Sequence, residues 1–333
     1  MRTGSEKLEE KILSLLRSAG GRGISQGSIG IKLGVSKSYL SDKLSEMENR
    51  SLIYREKGPG RTKRIWETLS HPGMSSKLIR IGLLRSSEYI PLMNTMRKVA
   101  SRRKIRLVFR PTDSARELMS LLNEKTIEAA FAPLYTSTMS ALTSGDLKII
   151  HLIGSGGGAI FQRKGYDGND CLTTEISSMT IMLKSYMSRN NSNFTLDSFT
   201  NPCKGLKAFE AGKHGRICIW EPYATCLRKL GTMEEIGSYR DILGELPCCC
   251  VVTTLDSASR VSQLIDGKFD GEIEWSGYEE IDFCGCSGSV RESLSSYNFN
   301  VDRSFVAFLE YIGRLGITVS ENTASEIYAP ATS

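Results

Sequence analysis

The chain has 333 residues, 40% of them hydrophobic and 24% charged, a length that points to two or three folded units and a composition that fits a soluble globular protein. No apolar run approaches the ~20 residues that cross a bilayer, and Met1–Glu10 lacks an apolar signal core, so no membrane partner and a cytoplasmic location are expected. The formal net charge is +6, and residues 1–70 alone hold 14 Lys and Arg against 8 Asp and Glu, so the whole excess sits in the first fifth of the chain, as binding to phosphates requires.

Leu8, Ile12, Leu15 and Leu16 fall on one face of a helix, which Gly20, Gly21 and Gly23 stop. Ser25 is placed to cap a short second helix carrying Ile29 and Leu33. Gly34 breaks it, and Ser36 caps a third helix with Leu40, Leu44 and Met47 on its inner face and Lys37, Ser38, Tyr39, Ser41 and Lys43 on its outer face. Two helices joined by a tight turn containing Gly make a helix-turn-helix. Leu52–Arg55 reads as a strand, Gly58-Pro59-Gly60 as a turn and 61–66 as the returning strand. The hairpin tip then carries Lys57, Arg61, Lys63 and Arg64, cations suited to a phosphate backbone or minor groove, and Trp66 packs beneath it.

The run 24–56, "ISQGSIGIKLGVSKSYLSDKLSEMENRSLIYRE", resembles the winged helix of MarR-like regulators, whose "GVS.S.LS..L..LE..GLI.RE" pattern spans the recognition helix and first wing strand. Ser51 stands where that pattern has Gly. The resemblance implies double-stranded DNA as a partner, contacted by Lys37, Ser38, Tyr39, Ser41, Lys43, Arg61, Lys63 and Arg64, and a homodimer on paired half-sites.

Residues 1–70 are thus expected to form the first domain, 71–76, with Pro72 and Gly73, a linker, and 77–330 a second domain. From Leu78 the pattern alternates: strands at 78–84, 105–109, 127–132 and 147–153, helices at 90–101, 115–123 and 136–143. The last strand ends in Gly154-Ser155-Gly156-Gly157-Gly158. Helices follow at 180–188 and 205–211, strands at 216–220 and 249–253, and helices at 258–266 and 304–312. This is βαβ logic with a mostly parallel sheet, in two lobes with a cleft between them.

Several stretches resemble periplasmic binding proteins (type 2) that deliver sulfonates, nitrate or thiamine precursors to ABC transporters. They are "IRIGLLRSSEYIPL", "ELMSLLNEKTIEAAFAPLYT", "KAFEAGKHGRICIWEPYATCL" with its "WEPya"-like turn, and "LPCCCVVTTLDSASR", in the order of that family. The expected fold class is therefore α/β: a winged helix-turn-helix plus a two-lobed periplasmic-binding-protein-like domain. In that family the ligand sits between the lobes at strand C-termini and helix N-termini. The positions that match are Ser86, Ser87, Tyr89, Pro133, Tyr135, Gly154, Ser155, Ser177, Ser178, Thr180 and Glu221, implying a small polar or anionic effector.

Nine cysteines, an odd number in a long chain, argue against a disulfide framework. Cys248-Cys249-Cys250 resembles the "CCCFC" run of the thiamine-pyrimidine synthase in this superfamily, but Val251-Val252 loses two of its positions. That enzyme also needs a pyridoxal-phosphate lysine and a reactive histidine, and the matching helix, "TSTMSALTSG", has neither. Adjacent strand residues point to opposite faces, so three sulfurs do not readily meet one metal. Buried structural thiols are expected here and at Cys284-Gly285-Cys286, with a metal or redox site as the alternative at these clusters, and no cofactor, no assigned metal ligand and no enzyme activity are expected. A ligand-responsive transcriptional regulator is the expected function, with an enzyme related to that synthase or a cytoplasmic ligand-binding protein as alternatives.

Overall fold

The apolar repeat of Leu8, Ile12 and Leu16 becomes, in the computed structural model, the buried face of α1 (Gly4–Ala19). The structure describes residues 4–50, 52–57, 63–71, 77–265, 278 and 281–330. The chain divides into two compact units, Met1–Ser75 and Ser76–Ser333.

In the first unit α1 ends in a single turn of 3-10 helix, Gly20–Arg22. After β1 (Ile24–Ser25), the Ser25 hydroxyl accepts a hydrogen bond from the Ser28 amide and opens α2 (Gln26–Leu33). Gly34 ends it in the left-handed region (φ +64°), a conformation that costs residues with a Cβ. Ser36 caps α3 (Lys37–Asn49) at the Tyr39 amide. β2 (Ile53–Lys57) and β3 (Lys63–Glu67) pair antiparallel, and β1 adds to β3, giving the order β1-β3-β2. Ile29, Leu40, Leu44, Met47, Ile53 and Ile65 join the α1 stripe in a small core. The Trp66 indole N–H donates to the Gly21 carbonyl at 3.1 Å, and the buried ring meets His71 edge-on. The turn at Gly58–Gly60, Arg61 and most of the expected linker (72–76) lie outside the described residues.

The second unit opens with β4 (Leu78–Leu84), α4 (Ile90–Arg102), β5 (Arg106–Thr112), α5 (Ala115–Asn123), β6 (Ala129–Pro133), α6 (Leu134–Ser144) and β7 (Leu147–Gly156). The chain crosses to a second sheet through β8 (Gly158–Arg163), β9 (Asp170–Thr173), α7 (Ser178–Arg189), β10 (Thr195–Ser198), α8 (Pro202–Glu210), β11 (Arg216–Trp220), α9 (Tyr223–Leu230), β12 (Met233–Ser238) and α10 (Tyr239–Leu243). It returns with β13 (Pro247–Thr254), α11 (Leu255–Ser262), α12 (Val290–Ser293), β14 (Tyr297–Asn298), α13 (Phe305–Arg314) and α14 (Glu321–Ile327). The strand orders are β14-β7-β13-β6-β4-β5 and β10-β9-β11-β8-β12.

These sheets are mixed, which corrects the mostly parallel expectation. β4 runs parallel to β5 and β6, but β13 inserts antiparallel between β6 and β7, because it carries the chain back from the second lobe. Gly157 makes the outward crossing at φ +69°, where any side chain would fall inside the Tyr297 ring. The last strand before this crossing runs on to Gly156, and β8 begins at Gly158, so the glycine run joins two strands rather than forming a loop. The helix expected at 258–266 sits earlier, at Leu255–Ser262.

One buried ion pair braces the first lobe. Arg80 on β4 meets Glu128 just before β6 through Nε (3.1 Å) and a terminal nitrogen (2.7 Å), and Glu128 also accepts the Arg80 amide at 2.6 Å. The cysteines depart from expectation at one pair: Cys203 on α8 and Cys284 form a disulfide. Cys171, Cys218, Cys248, Cys249, Cys250 and Cys286 are buried free thiols, and Cys226 is half-buried.

Candidate functional site

Two surfaces gather the residues singled out by sequence. On α3, Lys37, Ser38 and Tyr39 are exposed and Ser41 is half-buried. Lys43 is a correction: it is buried, with its ammonium 3.0 Å from both the Glu9 and Glu46 carboxylates. Burial alone would lower its pKa, but the hydrogen bonds it donates to Glu46 and Glu9, with their charges, outweigh that and raise it. A four-carbon stem at this position reaches back to α1 instead of outward. Lys63 and Arg64 on β3 are exposed, and Arg64 also donates to the Arg22 carbonyl at 2.6 Å. Arg61 lies outside the described residues.

Within the second unit a cavity of about 400 Å³ lies between the two sheets. Its first-lobe wall includes Ser86, Glu88, Tyr89, Ser114, Met119, Pro133, Thr136 and Met139, and its second-lobe wall Thr174, Ile176, Ser177, Ser178, Phe199 and Trp220. Gly156, Gly157, Cys248, Cys249 and Tyr297, from the crossing segments, also line it. α5 and α7 both begin at the cavity, capped by Ser114 and Ser177, so amide-bearing helix starts from opposite lobes converge there. Contacts that span the lobes include Arg116 to Glu175 at 2.6 Å, the Thr136 hydroxyl to the Ile176 carbonyl at 2.7 Å, the Trp220 indole to the Arg85 carbonyl at 2.9 Å and the Ser87 amide to the Glu221 carbonyl at 3.3 Å.

Of the eleven positions mapped from sequence, Ser86, Tyr89, Pro133, Ser177 and Ser178 line the cavity. The other six are corrections. Ser87 is fully buried and its hydroxyl pairs with that of Ser293 at 2.8 Å. Tyr135 packs on the core, while its neighbour Thr136 takes the wall position, because one residue at a helix start turns the side chain by about 100°. Gly154 packs under Asn298 and Phe299. The Ser155 hydroxyl donates to Glu245 at 2.9 Å, and that of Thr180 to the Thr174 carbonyl at 2.6 Å. Glu221 is fully buried away from the cavity, where it accepts from Arg228 (2.5 Å), the Thr225 amide (2.8 Å) and Ser296 (3.0 Å). Its job is to hold α9, and the "WEP" turn is a structural one here.

Sequence reasoning missed the polar cluster in the cavity wall. Glu88, nearly fully buried, accepts from the Cys248 thiol at 2.9 Å, and the Tyr89 hydroxyl donates to Cys249 Sγ at 3.2 Å. The register of β13 against β7 slips between Pro247 and Cys249 and again between Cys249 and Cys250. This bulge breaks the alternation of faces, so Cys248 and Cys249 both turn to Glu88, while Cys250 lies against Ser137. Burial pushes the Glu88 carboxyl up to about 7, against the opposing pull of the Cys248 and Cys249 thiols and the Gly154 amide. That amide does not reach hydrogen-bond geometry, and Glu88 Oε1 has no hydrogen-bond partner. Burial likewise raises the Cys249 thiol to about 11 and keeps Cys248 above its ordinary value. The sequence signal was the acidic residue between Ser87 and Tyr89, two mapped positions.

No protein-family model and no curated protein matches the chain. Solved structures do. The ligand-binding component of an ABC-type import system from Staphylococcus aureus, with zinc bound, matches at TM-score 0.59 and 17% identity, covering 77% of this chain and 97% of that one. The alkanesulfonate-binding protein from Xanthomonas axonopodis pv. citri, bound to MOPS, matches at 0.59 and 14%, covering 78% and 100%. The periplasmic nitrate-binding protein from Synechocystis PCC 6803 matches at 0.56 and 11%, covering 76% and 86%. The chain therefore contains a mixed α/β, two-lobed, periplasmic-binding-protein-like fold, and the neighbours that share it bind small molecules. No helix among the described residues is long and apolar enough to cross a membrane.

Proposed function

We propose that the chain is a ligand-responsive transcriptional regulator: a winged helix-turn-helix in residues 1–70 binds double-stranded DNA, and the cavity in 77–330 binds a small effector. The observation that carries this reading is the coincidence of charge and form in the first unit. The entire net positive charge of the chain belongs to a unit of three helices and a β-hairpin, whose α3 leaves Lys37, Ser38 and Tyr39 exposed. In this reading α3 enters the major groove, and Lys63, Arg64 and the hairpin tip contact phosphates. The protein is a cytoplasmic homodimer on paired half-sites and performs no catalysis.

The effector is a small polar or anionic molecule. Two helix starts and the hydroxyls of Ser86, Thr136, Ser177 and Ser178 supply polar contacts in a wall that also carries Met119, Met139, Phe199 and Trp220. Binding proteins for alkanesulfonate and nitrate among the structural neighbours support anionic candidates. A ligand gripped from both lobes favours the bridged arrangement, and only such a difference in affinity shifts an equilibrium. DNA and effector then alter each other's affinity by one common factor. The test is a thermal-shift screen of sulfonates, nitrate and related anions, followed by DNA titration with and without each hit. Binding of a hit that leaves DNA affinity unchanged refutes the switch, and absence of DNA binding at low salt refutes the regulator.

A further inference from the structure

We propose that Glu88, Cys248 and Cys249 form a three-ligand site for a thiophilic divalent cation of the zinc class, with its fourth coordination position open to the cavity. The donor atoms, one carboxylate oxygen and two sulfurs, lie within 4.8 Å of one another, and no other group of three such donors is this close among the described residues. Tetrahedral zinc with ~2.3 Å bonds to sulfur and ~2.0–2.2 Å to oxygen needs donors somewhat closer, so the cluster contracts slightly on binding.

Three features set this cluster apart from chance proximity. All three side chains are buried, where an acidic group without a counter-charge is costly. Glu88 Oε1 has no hydrogen-bond partner, leaving a buried acceptor that a cation would satisfy. The β13 bulge, which puts neighbouring cysteines on one side, is the local distortion that lets two consecutive strand residues act as ligands. Two sulfurs and one oxygen suit zinc over magnesium or calcium, which require oxygen donors. The Tyr89 hydroxyl, already donating to Cys249 Sγ, would stabilise the metal-bound thiolate. Glu88, Cys248 and Cys249 all line the cavity, so water or a neutral donor atom of a cavity ligand can complete the coordination. Binding displaces the two thiol protons to solvent, so uptake is accompanied by acid release. The site is independent of the regulator reading, because metal uptake is measured without DNA.

The test uses the full chain, stripped with chelator under a phosphine reductant and titrated with Co²⁺, then Zn²⁺. The expected result is one Co²⁺ per chain with thiolate-to-cobalt charge-transfer absorption, bleached by Zn²⁺. Cys248→Ser, Cys249→Ser and Glu88→Gln should each weaken Zn²⁺ binding by ~100-fold or more, and Tyr89→Phe by ~10-fold. Cys250→Ser, on the same strand but turned to Ser137, should bind normally. Glu88→Gln keeps the shape of the buried side chain, so the test survives if a cysteine variant fails to fold. Absence of thiolate-to-cobalt absorption in the reduced chain, or an equal loss in Cys250→Ser, overturns the proposal.

Discussion

The Lys43 ammonium lies 3.0 Å from the Glu9 carboxylate, joining α3 to α1 from within the first unit. A lysine expected on the DNA face is thereby a structural cation. Lys43→Met should lower the stability of the first unit by roughly 1–3 kcal/mol, between the values for exposed and buried pairs, because Glu46 is half exposed. The salt dependence of DNA binding should not change. Chemical denaturation and DNA titration across salt concentrations check both halves.

Lys63 and Arg64, by contrast, are exposed. Charge reversal at both should weaken DNA binding across sequences and reduce the log–log salt slope by about 1 for each phosphate that is no longer neutralised. Lys37→Ala should reduce discrimination between sequences as well. A double reversal that leaves affinity unchanged contradicts the hairpin assignment.

In the second unit, cavity and non-cavity hydroxyls should separate. Ser86→Ala and Ser178→Ala should each weaken effector binding by roughly 0.5–1.5 kcal/mol, or about 2- to 12-fold. Ser155→Ala and Thr180→Ala, which lie outside the cavity lining, should leave it within twofold or so. Glu221→Ala should act on stability, by roughly 1–3 kcal/mol, since it leaves the partly exposed Arg228 without its buried partner. Calorimetric titration of each variant with a hit from the anion screen distinguishes these classes.

The Arg80–Glu128 pair is buried on both sides. Glu128→Ala should cost roughly 3–5 kcal/mol, because it strands a buried guanidinium, whereas Arg80→Met paired with Glu128→Leu should recover much of the loss. Denaturant midpoints of the single and double variants give the comparison.

His151 on β7 supplies a pH dependence. Burial, reinforced by the charge of Arg303, lowers its pKa to about 3 from an ordinary 6.5. The folded state therefore holds this imidazole neutral, while the unfolded state takes up a proton below pH ~6.5. Stability from this group is complete above that pH and is lost progressively as pH falls toward 3. The pH slope of the unfolding free energy between 6.5 and 4 should be shallower in His151→Gln, whatever that variant's stability at neutral pH.

Local rules determined much of this protein. Helical spacing predicted the burial of Leu8, Ile12 and Leu16, and of Leu40, Leu44 and Met47; Ser25 and Ser36 announced their caps, and Gly34 its turn. Continuous apolar runs marked β4 and β11 within a residue or two. Each of these depends on atoms a few positions away, so a linear reading contains them. β10 is exposed at all four residues and β12 lies at a sheet edge, so neither offered a pattern of alternation to read. Tertiary structure decided the remainder. Which side Cys248 faces depends on a bulge against β7 and on a carboxylate 160 residues earlier, and Cys203 meets a sulfur 81 residues on. Whether Lys43 points to solvent depends on where α1 places Glu9. Those outcomes follow from chain closure and sheet register, where a slip of one residue reverses every side chain, and no local preference sets that register.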